Sequence, residues 1–280
     1  MKIQLFAILQ VALLLAVRSS SQTVRRPLQI PRIGLATYST RQTDVFSGFA
    51  NQASLARQKS LAAGFYTERR FSLKELSYYN LVFALPTSSG NFGLEAGYAG
   101  TINYNESTAG IAYGRGLGDK IDVGVQFNYY AVKIAGYGNA GTVNVEAGAI
   151  VHVTEKFQAG IHVFNPVGGR IGKYREEKLA FVYSAGFGYD ASEKFYICTA
   201  IQKEENQPVD VITGFQYQFL PRINIKGGVA SATPEFWFGA GFWVSSFSLD
   251  VLASYHPQLG ITPGLSLVVD FGKSSSSNNL

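Results

Sequence analysis

Ile121-Asp-Val-Gly-Val-Gln-Phe-Asn-Tyr129 puts Ile121, Val123, Val125, Phe127 and Tyr129 on one face of an extended chain and Asp122, Gly124, Gln126 and Asn128 on the other. Side chains alternate across a strand with period two, so the segment is a strand with one apolar and one polar face. The phase recurs along the chain. Val143, Val145, Ala147, Ala149 and Val151 oppose Asn144, Glu146, Gly148 and His152. Val211, Thr213, Phe215, Tyr217 and Phe219 oppose Asp210, Gly214, Gln216 and Gln218; Phe247, Leu249, Val251, Ala253 and Tyr255 oppose Ser248, Asp250 and Ser254. Leu265, Leu267, Val269 and Phe271 oppose Ser266 and Asp270. A dry core between stacked sheets would make the charges on these polar faces costly. A closed barrel with lipid outside and a polar lumen within accommodates them.

Reading outward from this stretch gives fourteen strands, at about 60–68, 76–85, 91–99, 106–116, 119–132, 139–152, 156–164, 178–189, 194–203, 209–220, 222–231, 235–244, 246–256 and 261–272. The turns support the count. Gly118-Asp-Lys-Ile121, Thr154-Glu-Lys-Phe157, Ser192-Glu-Lys-Phe195 and Leu220-Pro-Arg-Ile223 fall at alternate connections, with 36, 38 and 28 residues between their cations. One hairpin per repeat is what an up-and-down meander requires. These are the expected periplasmic turns, and an even strand count returns both barrel ends to that side. The longest opposite connection, 165–177, reads as a flexible surface loop.

Composition agrees: 30 Gly, 20 Phe, 16 Tyr and 2 Trp stand against one Met and 15% charged residues. After residue 21 no apolar run is long enough for a membrane helix, which needs about 20 residues, so a membrane protein of this sequence must span as strands. Met1-Lys2, the apolar stretch Leu5–Val17 and the small residues after Arg18 read as a signal peptide, residues 1–21. The formal charge of +5, or +3 without Lys2 and Arg18, is too mild and scattered for a nucleic-acid partner. Cys198 is the sole cysteine, which excludes an intramolecular disulfide.

Residues 22–59 lack clean alternation and contain Pro27 and Pro31. They either enter the lumen as a plug or stay a periplasmic tether; the plug is the preferred reading. Arg25, Arg26 and Arg32 would then meet inward carboxylates such as Glu146 or Asp122, with Phe46 and Phe49 covering apolar lumen wall and Asn51 beside them. Residues 60–272 form the barrel, and 273–280 a polar tail that cannot pack.

Asp44-Val-Phe-Ser-Gly-Phe-Ala-Asn-Gln-Ala-Ser-Leu-Ala56, Tyr113-Gly-Arg-Gly-Leu-Gly-Asp-Lys-Ile121 and the closing stretch His256–Gly272 resemble elements of the FadL-like group of bacterial outer-membrane barrels, especially its PorV/PorQ-like members. The first looks like the family's Asn-Pro-Ala-x-Leu-Ala element, with Gln52 at the position the family usually gives to Pro. The resemblance implies one of two roles in the outer membrane of a Gram-negative bacterium: a narrow channel for small hydrophobic molecules, or a component of a type IX-like secretion system with secretion proteins as partners. A structural or adhesive barrel is the alternative.

Inward-facing candidates for the lumen are Glu95, Asp122, Gln126, Asn128, Tyr130, Asn144, Glu146, His152, His162, Lys226, Asp250 and Asp270. Phe164 and Tyr196 join Tyr130 as apolar lining. A structural lumen network is favoured for the charges over a substrate path. His152 and His162 invite a metal reading. If Val153 pairs with Phe157, however, His162 lies opposite Gly148, roughly 14 Å from His152 at 3.4 Å per residue, too far for one ion. No Ser-His-Asp spacing, nucleophile elbow or phosphate loop appears, so neither an enzyme nor a cofactor is expected. Trp237 and Trp243, flanking Phe238 and Phe242, read as interfacial anchors toward lipid.

Overall fold

The structure, a computed structural model, describes residues 23–24, 34–171, 177–232 and 235–272. Fourteen strands close into one barrel: β1 (Ala62–Arg69), β2 (Ser77–Thr87), β3 (Gly90–Gly100), β4 (Tyr104–Leu117), β5 (Ile121–Ile134), β6 (Gly138–His152), β7 (Phe157–Phe164), β8 (Val182–Asp190), β9 (Phe195–Glu204), β10 (Val209–Leu220), β11 (Ile223–Ala230), β12 (Glu235–Val244), β13 (Phe247–His256) and β14 (Gly260–Asp270). Every pairing is antiparallel between sequence neighbours, and β14 returns to β1 with Leu267 opposite Phe65. Closure removes the free edges that an open sheet would expose. No helix among the described residues is long and apolar enough to cross a membrane.

The alternation read from the sequence sets the two faces. On β5, Val125, Phe127 and Tyr129 are exposed while Asp122, Gln126 and Asn128 are buried. The short turns owe their tightness to local chemistry. Thr154 Oγ1 accepts from Lys156 N and Phe157 N at 3.2 and 3.0 Å. Ser192 Oγ does the same for Lys194 N and Phe195 N at 3.2 and 3.1 Å. A hydroxyl two residues before a cation thus closes each turn without an extra residue, and Gly148 falls opposite His162 as the turn spacing requires.

Two expectations are corrected. The described ends of connection 165–177 are not a free surface loop, residues 172–176 lying outside the described residues. Arg170–Ile171 pairs with Glu177–Lys178, and Thr23–Val24 adds a parallel strand beside Lys178–Leu179. Ile171 and Leu179 are buried with Tyr130, Phe164 and Val182, because two apolar residues in a loop gain more by covering the barrel end than by staying in water. This inward fold also delays the start of β8 from 178 to Val182. Second, Trp237 does not face lipid. It is 5% exposed and packs in the lumen against Leu35 and Tyr196, while its neighbours Phe236 and Phe238 carry the outward face. Trp243 shares its phase and lines an interior cavity. Ring content pointed outward, but position parity decides the face.

Candidate functional site

The described part of the N-terminal segment fills the middle of the barrel. A 3-10 turn (Gly34–Tyr38), one turn of α-helix (Ser47–Ala50) and a second 3-10 turn (Gln52–Arg57) lie end to end within it. Leu35, Val45, Phe46, Phe49 and Leu55 are each at most 7% exposed. Burying each contributes about 1.5–3 kcal/mol. Asp44 Oδ1 holds the helix start by accepting from Ser47 N at 3.0 Å. Burial pushes the half-buried Asp44 carboxyl up to about 6, with the nearby Lys226 ammonium opposing the shift.

The wall is shaped to receive this segment. Gly114, Gly124 and Gly148 face inward on β4, β5 and β6 and stand opposite one another in register. A Cβ on Gly114 or Gly124 would come 2.6 or 2.5 Å from the Gln52 carbonyl oxygen, and one on Gly148 would come 2.0 Å from Asn51 Oδ1. The second 3-10 turn therefore rests on bare strand backbone. Gly160 and Gly186, paired across β7 and β8, make the same kind of seat for the Tyr38 ring.

Polar contacts fix the segment in this seat. Gln52, fully buried, donates to Glu146 Oε2 and Gln126 Oε1 at 3.1 and 3.2 Å. The departure from Pro at this position supplies a side chain that ties plug to wall. Asn51 donates to the Ile161 carbonyl at 3.1 Å, and Asn91 on β3 donates to the Leu55 and Gln58 carbonyls at 2.6 and 2.8 Å. Arg57 Nε meets Asp122 Oδ2 at 2.7 Å, and His152 binds the same oxygen. At the turn end, Asp190 accepts from Ser39 Oγ at 2.7 Å and from Thr40 N and Oγ1 at 2.9 Å.

Beyond these anchors a belt of side chains runs round half the lumen. Asn80 donates to Glu95, Gln126 to Glu95 and Asn128, and Asn128 to Asn144 and Glu146, at 2.7–3.0 Å. His162 closes it on Glu146 at 2.9 Å. Lys226 and Asp250 form a separate buried ion pair at 2.8 Å. Asp270 accepts from Ser60 Oγ at 2.5 Å near the chain's entry into β1, and Tyr130 packs with Ile171 and Leu179.

The structure thus draws Glu95, Gln126, Asn128, Asn144, Glu146 and His162 into one network and separates Lys226 with Asp250 from it. His152 and His162 serve different carboxylates. Arg25, Arg26 and Arg32 lie outside the described residues; among those described, the cation on Asp122 is Arg57. Sequence reasoning missed Arg57, Gln52, Asn91 and Asp190, since each sits at a turn or strand end where polar residues are ordinary. The one available signal was the run of inward-phase glycines.

Two cavities lie beside the plug among the described residues. One, of about 140 Å³, lies against the loop-facing side of the plug, with Leu35, Phe46, Phe49 and Ile212 as apolar walls and Asn80, Glu95 and Gln202 as polar ones. The other, about 280 Å³, lies toward the turn end and is polar, lined by Asp44, Gln216, Gln218, Asn224, Lys226 and Asp250 among others.

No protein-family model and no curated protein matches the chain. Solved structures do. The CymD monoaromatic hydrocarbon channel superposes with TM-score 0.59 at 11% identity, over 84% of this chain and 94% of its own. The toluene transporter TodX of Pseudomonas putida gives 0.59 at 9% identity over 90% and 98%. A FadL homologue from Pseudomonas aeruginosa gives 0.55 at 12% identity over 85% and 97%. In fold, the chain is a FadL-like β-barrel.

Proposed function

We propose that the protein is an outer-membrane channel for small hydrophobic molecules in a Gram-negative bacterium, exported by residues 1–21, with residues 22–59 as plug and 60–272 as barrel. The observation that carries this reading is the ring-sized apolar cavity lodged between plug and wall, inside a barrel whose outer surface is apolar. Ligand sites are concave, largely apolar and marked by a few placed polar groups, and this cavity has that character. The names of the CymD and TodX channels point the same way; none of the structures compared points to secretion proteins as partners. An adhesive barrel would not need an internal apolar cavity.

The test is uptake of radiolabelled toluene by cells that express the assembled chain against cells that do not. Faster uptake is expected. Equal uptake at equal amounts of assembled barrel would overturn the channel.

A further inference from the structure

Three neighbouring strands carry Asn224, Gly241 and Asp250 in one row: Asn224 on β11 stands opposite Gly241 on β12, which stands opposite Asp250 on β13. The glycine leaves the middle of the row bare. A Cβ there would come 2.0 Å from Asp250 Oδ1 and 2.6 Å from Asn224 Oδ1, so two acceptor oxygens lean together over it. Asn224 is 4% exposed and Asp250 7%, and neither of these oxygens meets a donor among the described residues. A buried acceptor that has given up water and gained no donor is a net cost, so the row favours a ligand that donates.

Both side chains line the polar cavity at the turn end of the plug, whose volume is about 280 Å³. That is nearly twice the roughly 150 Å³ of a cavity that holds benzene, so a ligand of several heavy atoms fits. Charge narrows its class. The two cations in the lining are already committed, Arg41 to Glu193 at 3.2 Å and Lys226 to Asp250 Oδ2 at 2.8 Å. From the plug side Asp44 adds a carboxyl held by Ser47 N and Oγ at 3.0 and 3.1 Å and in no ion pair among the described residues. An added anion would meet carboxylates. An added cation would meet the acceptor pair, with Trp243 in the same lining as a ring of the kind that attracts cations. Among the described residues no three acids, histidines or cysteines are grouped to hold a metal ion, which leaves a cation with N–H donors of its own.

We infer that the turn-end cavity binds small primary ammonium ions, which donate to Asn224 Oδ1 and Asp250 Oδ1 above Gly241. The apolar cavity plays no part in this, so the site does not rest on the channel reading. The experiment titrates the full-length barrel in perdeuterated detergent and reads saturation-transfer NMR signals of each probe, with empty micelles as the blank. It runs at constant ionic strength and pH 7.5, where Asp44, raised to about 6, is ionised. n-Propylammonium should half-saturate at about one-tenth the concentration of its neutral isostere 1-propanol, the gain of a charged donor over a neutral one. Tetramethylammonium, which has the charge and no N–H, should bind about tenfold more weakly than propylammonium. Gly241→Ala, checked for assembly by heat-modifiable migration, fills the space between the two oxygens and should bring propylammonium and 1-propanol within about threefold.

No saturable signal from propylammonium overturns the site and means that the Asn224 amide turns to satisfy Asp250 itself. Equal binding of propylammonium and 1-propanol overturns the cation class, and equal binding of tetramethylammonium overturns the N–H contacts. A tenfold preference that survives in assembled Gly241→Ala overturns the placement above Gly241. The comparison of probes in the unaltered protein decides the ligand class even if the variant does not assemble.

Discussion

Replacing Gly124 with Ala should unseat the plug while leaving the barrel closed. The added Cβ would lie 2.3 Å from the Gln52 carbonyl carbon, 2.5 Å from Ala53 N and 2.5 Å from the Gln52 oxygen, all of them backbone. Ordinary contact begins near 3.4 Å, so the 3-10 turn must withdraw by about 1 Å. Overpacking of this kind costs about 1–3 kcal/mol. Withdrawal also stretches the bonds from Gln52 to Glu146 and Gln126, now 3.1 and 3.2 Å, beyond useful length, at about 0.5–1.5 kcal/mol each. A shift of about 2 kcal/mol raises the unseated population about 30-fold.

Gly97→Ala is the matched control, because its nearest neighbour is Tyr78 Oη at 3.4 Å. The assay is the initial rate of trypsin cleavage after Arg57 in the folded barrel, read beside conductance in a planar bilayer. Ala favours a strand over Gly, so any loss at Gly124 cannot come from strand propensity. Wild-type cleavage and conductance in an assembled Gly124→Ala barrel would refute the docking argument.

Asp190→Ala should speed cleavage after Arg41, whose neighbours Ser39 and Thr40 lose their acceptor, and leave cleavage after Arg57 unchanged; a parallel rise at both sites would show that the plug moves as one piece. Val125→Arg places a charge on the exposed face and should cost about 2–4 kcal/mol near the midplane, whereas Gln218→Arg enters the polar cavity at the turn end; equal assembled levels of the two would show the faces are misassigned. Asp44 has its carboxyl raised from 3.8 to about 6 in the seated plug, so protonation favours seating. That stabilisation is full below the lower value and lost as pH rises to the upper one. Relative to Asp44→Asn, wild-type trypsin protection should therefore weaken between pH 4 and 6, and parallel pH profiles would contradict the assignment. Deleting residues 24–56 with the signal segment kept should leave a barrel that conducts more readily than the intact chain; equal conductance would make the segment a tether.

The barrel was legible because one physical constraint, lipid outside and hydrogen-bonding groups within, is imposed at every second residue from β1 to β14. The turns were legible because Thr154 and Ser192 carry their own closing hydroxyls. Trp237 was misread because a ring suits either an interface or a packed lumen, and only its phase with Gly239 and Gly241 chooses between them. Gln126 was read as facing the lumen, and it does, but it is 1% exposed under Gln52. Alternation states that a residue points inward and not what it finds there. The contents of the lumen come from a segment with no period of its own, so its docking was written in the wall instead.

That wall record has a functional consequence. The in-register glycines Gly114, Gly124 and Gly148, with Gly160 and Gly186 beyond them, place the seat on β4 to β8. On the opposite side the inward positions mix bulky or polar side chains, Ile212, Trp237, Lys226, Asp250 and Leu252, with glycines such as Gly214, which seats Leu35, and both cavities reach that side. In the proposed channel a molecule would pass beside the plug where the cavities lie, against β9 to β13. Leu35 packed against Trp237 occupies that gap. For the proposed channel to open there, the Gly34–Asp44 stretch, held by Asp190, would have to move, while the Gln52–Arg57 turn could stay in its glycine seat.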